Sequence, residues 1–218
     1  MKKSKLLSVV LSVLLALCVL TGAIAAPLLC RAFYYVQIGP LGLVGESGLT
    51  ADEIRAAFDA VMDYCLGLRP DFSAGVLPFS AEGASHFADV RTLFLLDLRL
   101  LALSLLLLGA LALWMRARRL RAHRFLGRGP GFYAACGLGV LFLALAIPCA
   151  IDFDWAFAAF HALFFPGKDN WLFNPATDPV IRILPQRFFL HSALLILALL
   201  LLGCGVLLWT GRRRRDAH

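Results

Sequence analysis

The chain has 218 residues, of which 61% are hydrophobic and 16% are charged, and its formal net charge is +7 at pH 7. A soluble globular domain rarely combines so much apolar content with so little charge. The composition therefore excludes an ordinary soluble domain and indicates an integral membrane protein.

Four apolar stretches are long enough to cross the roughly 30 Å hydrocarbon core of a bilayer as helices. They cover about residues 6–29, 93–115, 132–151 and 190–210. The connecting segments are 30–92, 116–131 and 152–189, and a tail covers 211–218. We expect an all-α membrane protein with a single membrane domain over residues 1–218. Its predicted architecture is a four-transmembrane-helix bundle with an extracytoplasmic helical cap.

Basic residues cluster at three places that should share one side of the membrane. The clusters are Lys2 to Lys5, Arg116 to Arg128, and Arg212 to Arg215. Because cytoplasmic segments carry an excess of Lys and Arg, both termini are predicted to be cytoplasmic, and segments 30–92 and 152–189 to lie outside. The clusters adjoin apolar spans and have the placement of topology signals, so nucleic acid is not expected as a partner.

The N-terminal segment has two interpretations. Its lysines, apolar run and Ala23-Ile24-Ala25 sequence also fit a cleavable secretion signal. The apolar run exceeds the roughly 7–15 residues of a typical signal, which favours a retained membrane anchor.

Segment 30–92 contains the signature of an amphipathic helix. Thr50 is a predicted N-cap with Glu53 three residues later, which is the capping-box spacing, and the helix should end near Gly67. Its apolar stripe either packs on the protein or rests on the membrane, and packing is favoured. The stripe consists of Ile54, Phe58, Val61, Met62 and Cys65.

The six cysteines show no paired spacing typical of zinc or redox sites. Cys30 and Cys65 both fall in the predicted outer segment, where a disulfide would persist. The sequence leaves that pairing open.

Two histidines fall at the same predicted depth, next to the outer ends of spans. His86 precedes the second span, and Asp89 would share its helical face and orient the imidazole. His161 lies within an apolar helical stretch of segment 152–189. An interfacial aromatic belt explains the many Phe and Trp residues there, but it does not explain His161. Plain packing is the alternative for each histidine, and an ionisable side chain at this depth also indicates function.

These motifs make the chain similar to the bacterial lipoprotein intramolecular transacylase family. The first family motif, a His followed by Asp-Val and a basic residue, is met by His86, Asp89, Val90 and Arg91, with Glu82 upstream. The second is met by Phe160, His161, Phe164, Phe165, Trp171, Phe173, Pro175, Asp178, Pro179, Leu184, Pro185, Phe188 and Phe189. The resemblance covers nearly the whole chain.

The resemblance implies a membrane acyltransferase of the bacterial cytoplasmic membrane. It implies transfer of the sn-2 acyl chain of a diacylglyceryl-modified N-terminal cysteine to the α-amino group of that cysteine, which gives a lyso-form lipoprotein. Diacylglyceryl-modified lipoproteins and membrane lipid are then the expected partners, and neither a cofactor nor a metal is expected.

The resemblance assigns His86 and His161 as catalytic, with Asp89, Arg91, Trp171 and Asp178 in supporting roles. One imidazole would deprotonate the α-amine. The other, with the Trp171 indole N–H or backbone amides, would stabilise the oxyanion and return a proton to the leaving glyceryl oxygen. The sequence does not say which histidine does which.

Two other functions fit the sequence. A haem or metal protein would use His86, His161 and His191 as ligands, with Asp89 supporting them. A non-catalytic membrane protein would use the outer aromatic surface to bind lipid or a partner.

Overall fold

The structure is a computed structural model that describes residues 3–213. Lys2 and residues 214–218 of the predicted tail lie outside the described residues. The elements in chain order are β1 (Lys3–Ser4), α1 (Lys5–Leu29), α2 (Arg31–Tyr35), α3 (Leu43–Ser47), α4 (Ala51–Cys65), α5 (Ala81–Ala117), β2 (Arg121–Ala122), α6 (Pro130–Ile151), α7 (Phe153–Phe164), α8 (Val180–Ile183) and α9 (Gln186–Arg213). The predicted all-α class is confirmed.

Four of these helices are long and apolar enough to cross a membrane: Lys5–Leu29, Ala81–Ala117, Pro130–Ile151 and Gln186–Thr210. Each predicted span lies within one of them. Helix α5 has 37 residues, which at about 1.5 Å per residue gives roughly 55 Å, well beyond the hydrocarbon thickness. The helix begins at Ala81, so its residues before the predicted span at 93 form a helical extension of that span.

The described chain divides into two compact units by its internal packing. The first comprises the chain up to Ile24, residues 98–147 and the chain from Ile196 onward. Small and aliphatic side chains form its core: Ala23, Ala134, Ala135, Leu138, Leu200 and Leu207. A Cβ at Gly203 would collide with Val19. The glycine therefore permits the close helix approach that small residues provide in membranes.

A short polar contact closes one end of this unit. Strands β1 and β2 pair in parallel, with Lys3 opposite Arg121. The Ser8 hydroxyl donates to the His123 carbonyl at 2.6 Å. These bonds hold the segment that follows α5 against the start of α1.

The second unit comprises residues 25–97 and 148–195. Helix α4 begins with the predicted capping box, in which Thr50 and Glu53 each accept a backbone N–H of the other. It ends at Cys65, two residues before Gly67. The whole predicted stripe is buried in the core of this unit, so the packing interpretation is confirmed.

Tyr34 joins three helices of the second unit. Its ring stacks on Phe58 of α4, with centroids 3.7 Å apart, and meets Phe188 of α9 edge-on at 5.2 Å. Its hydroxyl donates to the Ile183 carbonyl at 2.7 Å. Cys65 is buried in the same core and Cys30 is exposed, and all six cysteines are free. Cys30 and Cys65 therefore do not form a disulfide.

Tyr34→Phe should destabilise the protein, because it leaves the buried Ile183 carbonyl without its donor. A buried group left unsatisfied costs about 1–3 kcal/mol. The matched control is Tyr35→Phe, since the Tyr35 hydroxyl bonds Asp59, which keeps an ion pair with Arg31. Thermal unfolding in detergent should show the larger fall in Tm for Tyr34→Phe. Equal falls would contradict this account of the core.

Candidate active site

His86 is held by the start of helix α5. The Ser80 hydroxyl accepts the Gly83 N–H at 2.9 Å, which is N-cap geometry. The Ser80 N–H in turn donates to the Asp178 carboxylate at 2.7 Å. A Cβ on Gly83 would overlap that carboxylate, so a glycine is required there. These contacts fix the first turns of α5, on which His86 is 5% exposed.

His161 is held by helix α7, which is separated from α6 by the single residue Asp152. The Asp152 side chain accepts the Trp155 N–H at 3.0 Å and caps the new helix. Asp154 accepts from the Gln186 amide at 2.7 Å, which ties α7 to the start of α9. His161 lies in the last turn of α7 and is 7% exposed.

The two imidazoles lie side by side. Their ring centroids are 5.7 Å apart and their planes are tilted by 30°. The Phe165 ring contacts both, Phe173 meets His86 edge-on, and Trp171 stacks on His161 at 4.3 Å. The pair is therefore enclosed by aromatic rings.

This enclosure keeps both imidazoles neutral. Burial lowers the pKa of His86 to about 4; His161 and Lys168 lower it further, while Asp89 and the Asn170 amide raise it. Burial also lowers the pKa of His161, against a smaller opposite effect of its bond to the Phe157 carbonyl. Neutral imidazole offers one nitrogen as a proton acceptor.

The accepting nitrogen of His161 follows from its hydrogen bond. Nδ1 lies 2.7 Å from the Phe157 carbonyl oxygen, and a carbonyl only accepts, so Nδ1 carries the proton and donates. Nε2 therefore holds the free lone pair. The Trp171 indole N–H donates to the Lys168 carbonyl at 3.2 Å. Trp171 therefore contacts His161 with its ring face. Its N–H, which the sequence suggested for stabilising an oxyanion, is bonded to Lys168 instead.

Asp89 contacts a lysine and an amide on the loop after α7. Lys168 Nζ lies 2.6 and 2.7 Å from its two carboxylate oxygens, and the Asn170 amide nitrogen lies 3.3 Å from Oδ2. Burial alone would raise the pKa of Asp89, but these hydrogen bonds outweigh it and lower the pKa. Asp89 thus bonds Lys168 and Asn170, rather than His86 as expected from the helical spacing.

The other supporting residues lie at different places. Arg91 donates to the Arg69 carbonyl at 2.9 Å and covers the Tyr64 ring at 4.7 Å, so it binds α5 to the end of the α4 segment. Asp178 is buried. Burial would raise its pKa, but the Ser80 backbone bond and the Thr177 hydroxyl outweigh burial and lower it.

His191, the third ligand of the metal alternative, pairs with an amide. Its Nδ1 lies 2.6 Å from Gln37 Oε1. Within residues 3–213, no three His, Cys, Asp or Glu side chains are placed to share a metal ion.

A cavity of about 280 Å³ lies beside the aromatic enclosure and shares Asn170 and Phe173 with it. The rest of its lining is Ser80, Glu82, Gly83, Asp169, Leu172 and Asp178. Asn170 and Lys168 could not be predicted from the sequence, because no local pattern marks a polar loop residue whose partners lie 79 to 85 positions away.

Comparisons with known proteins identify the family of the chain. The sequence model of the family described as lipoprotein intramolecular transacylase Lit matches residues 9–189. The in meso structure of the membrane integral lipoprotein intramolecular transacylase Lit from Bacillus cereus is similar at a TM-score of 0.85 and 24% identity, over 98% of this chain and 97% of that chain.

Two further structures of the Bacillus cereus protein, with a histidine replaced by arginine or by alanine, match at TM-scores of 0.79 and 0.80 and 24% identity. They cover 98% of this chain and 94% and 95% of theirs. No curated protein matches the chain. The structural likeness shows the fold, while the family match spans most of the sequence and confirms the resemblance. The chain therefore belongs to the family of lipoprotein intramolecular transacylases, and it is a multi-pass membrane enzyme.

Proposed function

We propose that this transacylase moves the sn-2 acyl chain of a diacylglyceryl-modified N-terminal cysteine onto the α-amino group of the same cysteine. The observation that carries the proposal is the pair of buried neutral imidazoles, 5.7 Å apart, within one aromatic enclosure. Amine attack on an ester requires a proton acceptor and a proton donor at one centre, and two neighbouring imidazoles supply such groups.

His161 is the base in this proposal, because its Nε2 lone pair is free while Nδ1–H is held by Phe157. The amine nitrogen attacks the ester carbonyl carbon, and Nε2 takes a proton from that nitrogen. The tetrahedral intermediate then collapses with cleavage of the bond to the glyceryl oxygen, which receives the proton from His161. The products are an amide and a free sn-2 hydroxyl, and no water is consumed.

No acyl-enzyme intermediate is needed, because nucleophile and ester belong to one molecule. Oriented intramolecular reactions reach effective molarities on the order of 10⁵ M or more. Ser85 adjoins His86, but neighbouring helical residues point about 100° apart. The Ser85 hydroxyl instead lies 3.4 Å from the Asn170 amide nitrogen.

The site is proposed to face the outer leaflet, with both termini in the cytoplasm. The extension of α5 supports a position next to the hydrocarbon. Helix α7 exposes a large apolar surface, formed by Trp155, Phe160, Leu163 and Phe164. Such a surface suits the membrane interface, where lipid ester groups lie. The enzyme would therefore meet the lipid part of a lipoprotein at the depth of its own histidines.

The remaining residues are proposed to position the pair. Trp171 holds the His161 ring by stacking, Asp178 fixes the start of α5, and Asp89 anchors the loop after α7 through Lys168. Arg91 holds the start of α5 to the segment that follows α4.

Replacing either histidine should abolish conversion of a diacylated reporter lipopeptide to the lyso form. Loss of a general acid–base group lowers a rate by about 10²- to 10⁴-fold. The conversion rate should therefore fall by that factor in His86→Ala and in His161→Ala. Mass spectrometry of the purified enzyme with the reporter alone, without an acyl donor, measures this.

His123→Ala is the matched control, because His123 belongs to the first unit and its backbone carbonyl makes the contact with Ser8. It should convert the reporter at the normal rate. Full conversion by either site variant would refute that histidine's role, and an acyl adduct on the enzyme would refute direct transfer.

The pH dependence should follow the substrate amine rather than the histidines. Both histidines have lowered pKa values, so their neutral, proton-accepting forms are lost only as pH falls below about 6.5. For His86 this loss occurs near pH 4. The unperturbed α-amine titrates at about 7.7–8.0. We expect kcat/KM to rise with pH up to about 8 and then level off. A plateau already reached at about pH 6 would contradict this mechanism.

A further inference from the structure

Two buried polar atoms in the site have no hydrogen-bond partner among residues 3–213. They are Nδ1 of His86 and the side-chain oxygen of Asn170. A buried polar atom without a partner is costly and calls for an explanation. One of these atoms is able to carry a proton and the other only accepts one, so they are complementary.

The orientation of the Asn170 amide is set by its neighbours. Its nitrogen lies 3.3 Å from Asp89 Oδ2 and 3.4 Å from the Ser85 hydroxyl oxygen. A carboxylate only accepts, so the NH₂ group must face Asp89 and the amide oxygen must face away from it. Lys168 holds the Asp89 carboxylate through both oxygens.

Ser85 and Asp89 flank His86 on helix α5, one residue before it and three residues after it. An amide held by both of these side chains therefore lies along the same stretch of helix as the imidazole. Asn170 itself comes from the loop that follows α7, the helix of His161. It thus links the two histidine-bearing segments.

We propose that Asn170 is a positioning residue of the transacylase. Its side-chain oxygen accepts the Nδ1–H of His86 and thereby fixes the tautomer in which Nε2 holds the free lone pair. The proposal rests on the proposed function of the two histidines. It gives Asp89 and Lys168 a defined task, which is to hold the amide in this orientation.

Both imidazoles then present the same nitrogen to the substrate. The Phe157 carbonyl holds Nδ1–H of His161, and the Asn170 amide holds Nδ1–H of His86. A protonated α-amine must lose two protons to become an amide nitrogen, one before attack and one during it. Two Nε2 acceptors match these two losses, with one proton passed to the glyceryl oxygen and one released.

The electrostatics agree with this contact. The Asn170 amide raises the pKa of His86, against the larger lowering by burial. The titratable and charged groups that act on His86 are His161 from α7, Asp89 from α5 and Lys168 from the loop. Removing the acceptor should therefore lower the pKa of His86 further.

The tautomer is read directly by ¹⁵N NMR of histidine-labelled enzyme in detergent micelles, with the His86 signals assigned by their loss in His86→Ala. We expect His86 to be protonated at Nδ1. Asn170→Ala should shift His86 towards the Nε2–H form, whereas Asn170→Asp, which keeps an acceptor oxygen, should retain Nδ1–H. Asn174→Ala is the matched control, because the Asn174 side chain accepts a backbone N–H from Ala176 in the same loop and, among residues 3–213, makes no bond to the histidine pair.

Kinetics give the second measurement. Asn170→Ala should lower kcat by about tenfold or more with KM changed by less than about twofold, because ground-state binding is unaffected. Asn174→Ala should leave kcat and the pH profile unchanged.

An unchanged His86 tautomer in Asn170→Ala would overturn the proposal, as would an equal loss of kcat in Asn174→Ala. If Asn170→Ala does not fold, loss of the Nδ1–H signal in Asn170→Asp overturns it instead. The NMR result does not depend on catalysis. Normal conversion by His86→Ala would therefore refute the proposed function and leave the Asn170 contact standing.

Discussion

The active site depends on the burial of two neutral imidazoles beside each other. Each loses hydration when it enters the aromatic enclosure, and a positive charge on one disfavours a charge on the other. Both therefore stay neutral at pH 7, which is the state that accepts a proton. The same burial that makes the site costly to form supplies the acceptors that amine attack on an ester requires.

Much of the second unit is organised around holding this pair. His86 lies near the start of a helix, where fraying would otherwise be expected. The Ser80 cap, the Asp178 carboxylate and the absence of a side chain at Gly83 prevent this. For His161, helix α7 begins at Phe153 and is capped by Asp152, the single residue between it and α6. The helices that carry the two histidines thus both begin at caps formed by short polar side chains.

Local signals in the sequence were sufficient to predict α4 and the four apolar spans. The capping box at Thr50 and Glu53 depends on residues three apart, and the apolar spans depend on continuous composition, so both could be predicted. The start of α5 could not be found in that way, because hydropathy marks residue 93, where the apolar run begins, while the helix itself begins at Ala81. Composition marks the membrane boundary, whereas hydrogen bonding decides the helix boundary.

The site was predictable only in part, for a related reason. Family motifs pointed to His86 and His161, and the structure brings these two side chains together. The partner of Asp89 could not be predicted. The helical spacing suggested His86, whereas the carboxylate pairs with the charge of Lys168, which lies in the loop after α7. Cys30 and Cys65 share a segment, yet they are exposed and buried respectively, and segment membership carries no information about distance.

The proton balance of the reaction explains why one imidazole would be insufficient. At pH 7 the free amine is a minor species, so a single base that neutralises the ammonium would be protonated when attack begins. A second acceptor with its own lone pair removes that conflict, provided that its tautomer is fixed. Phe157 provides this for His161 through a backbone carbonyl. For His86, Nδ1 has no such carbonyl partner among residues 3–213, and Asn170 is the polar side chain from another segment that is oriented to supply the acceptor.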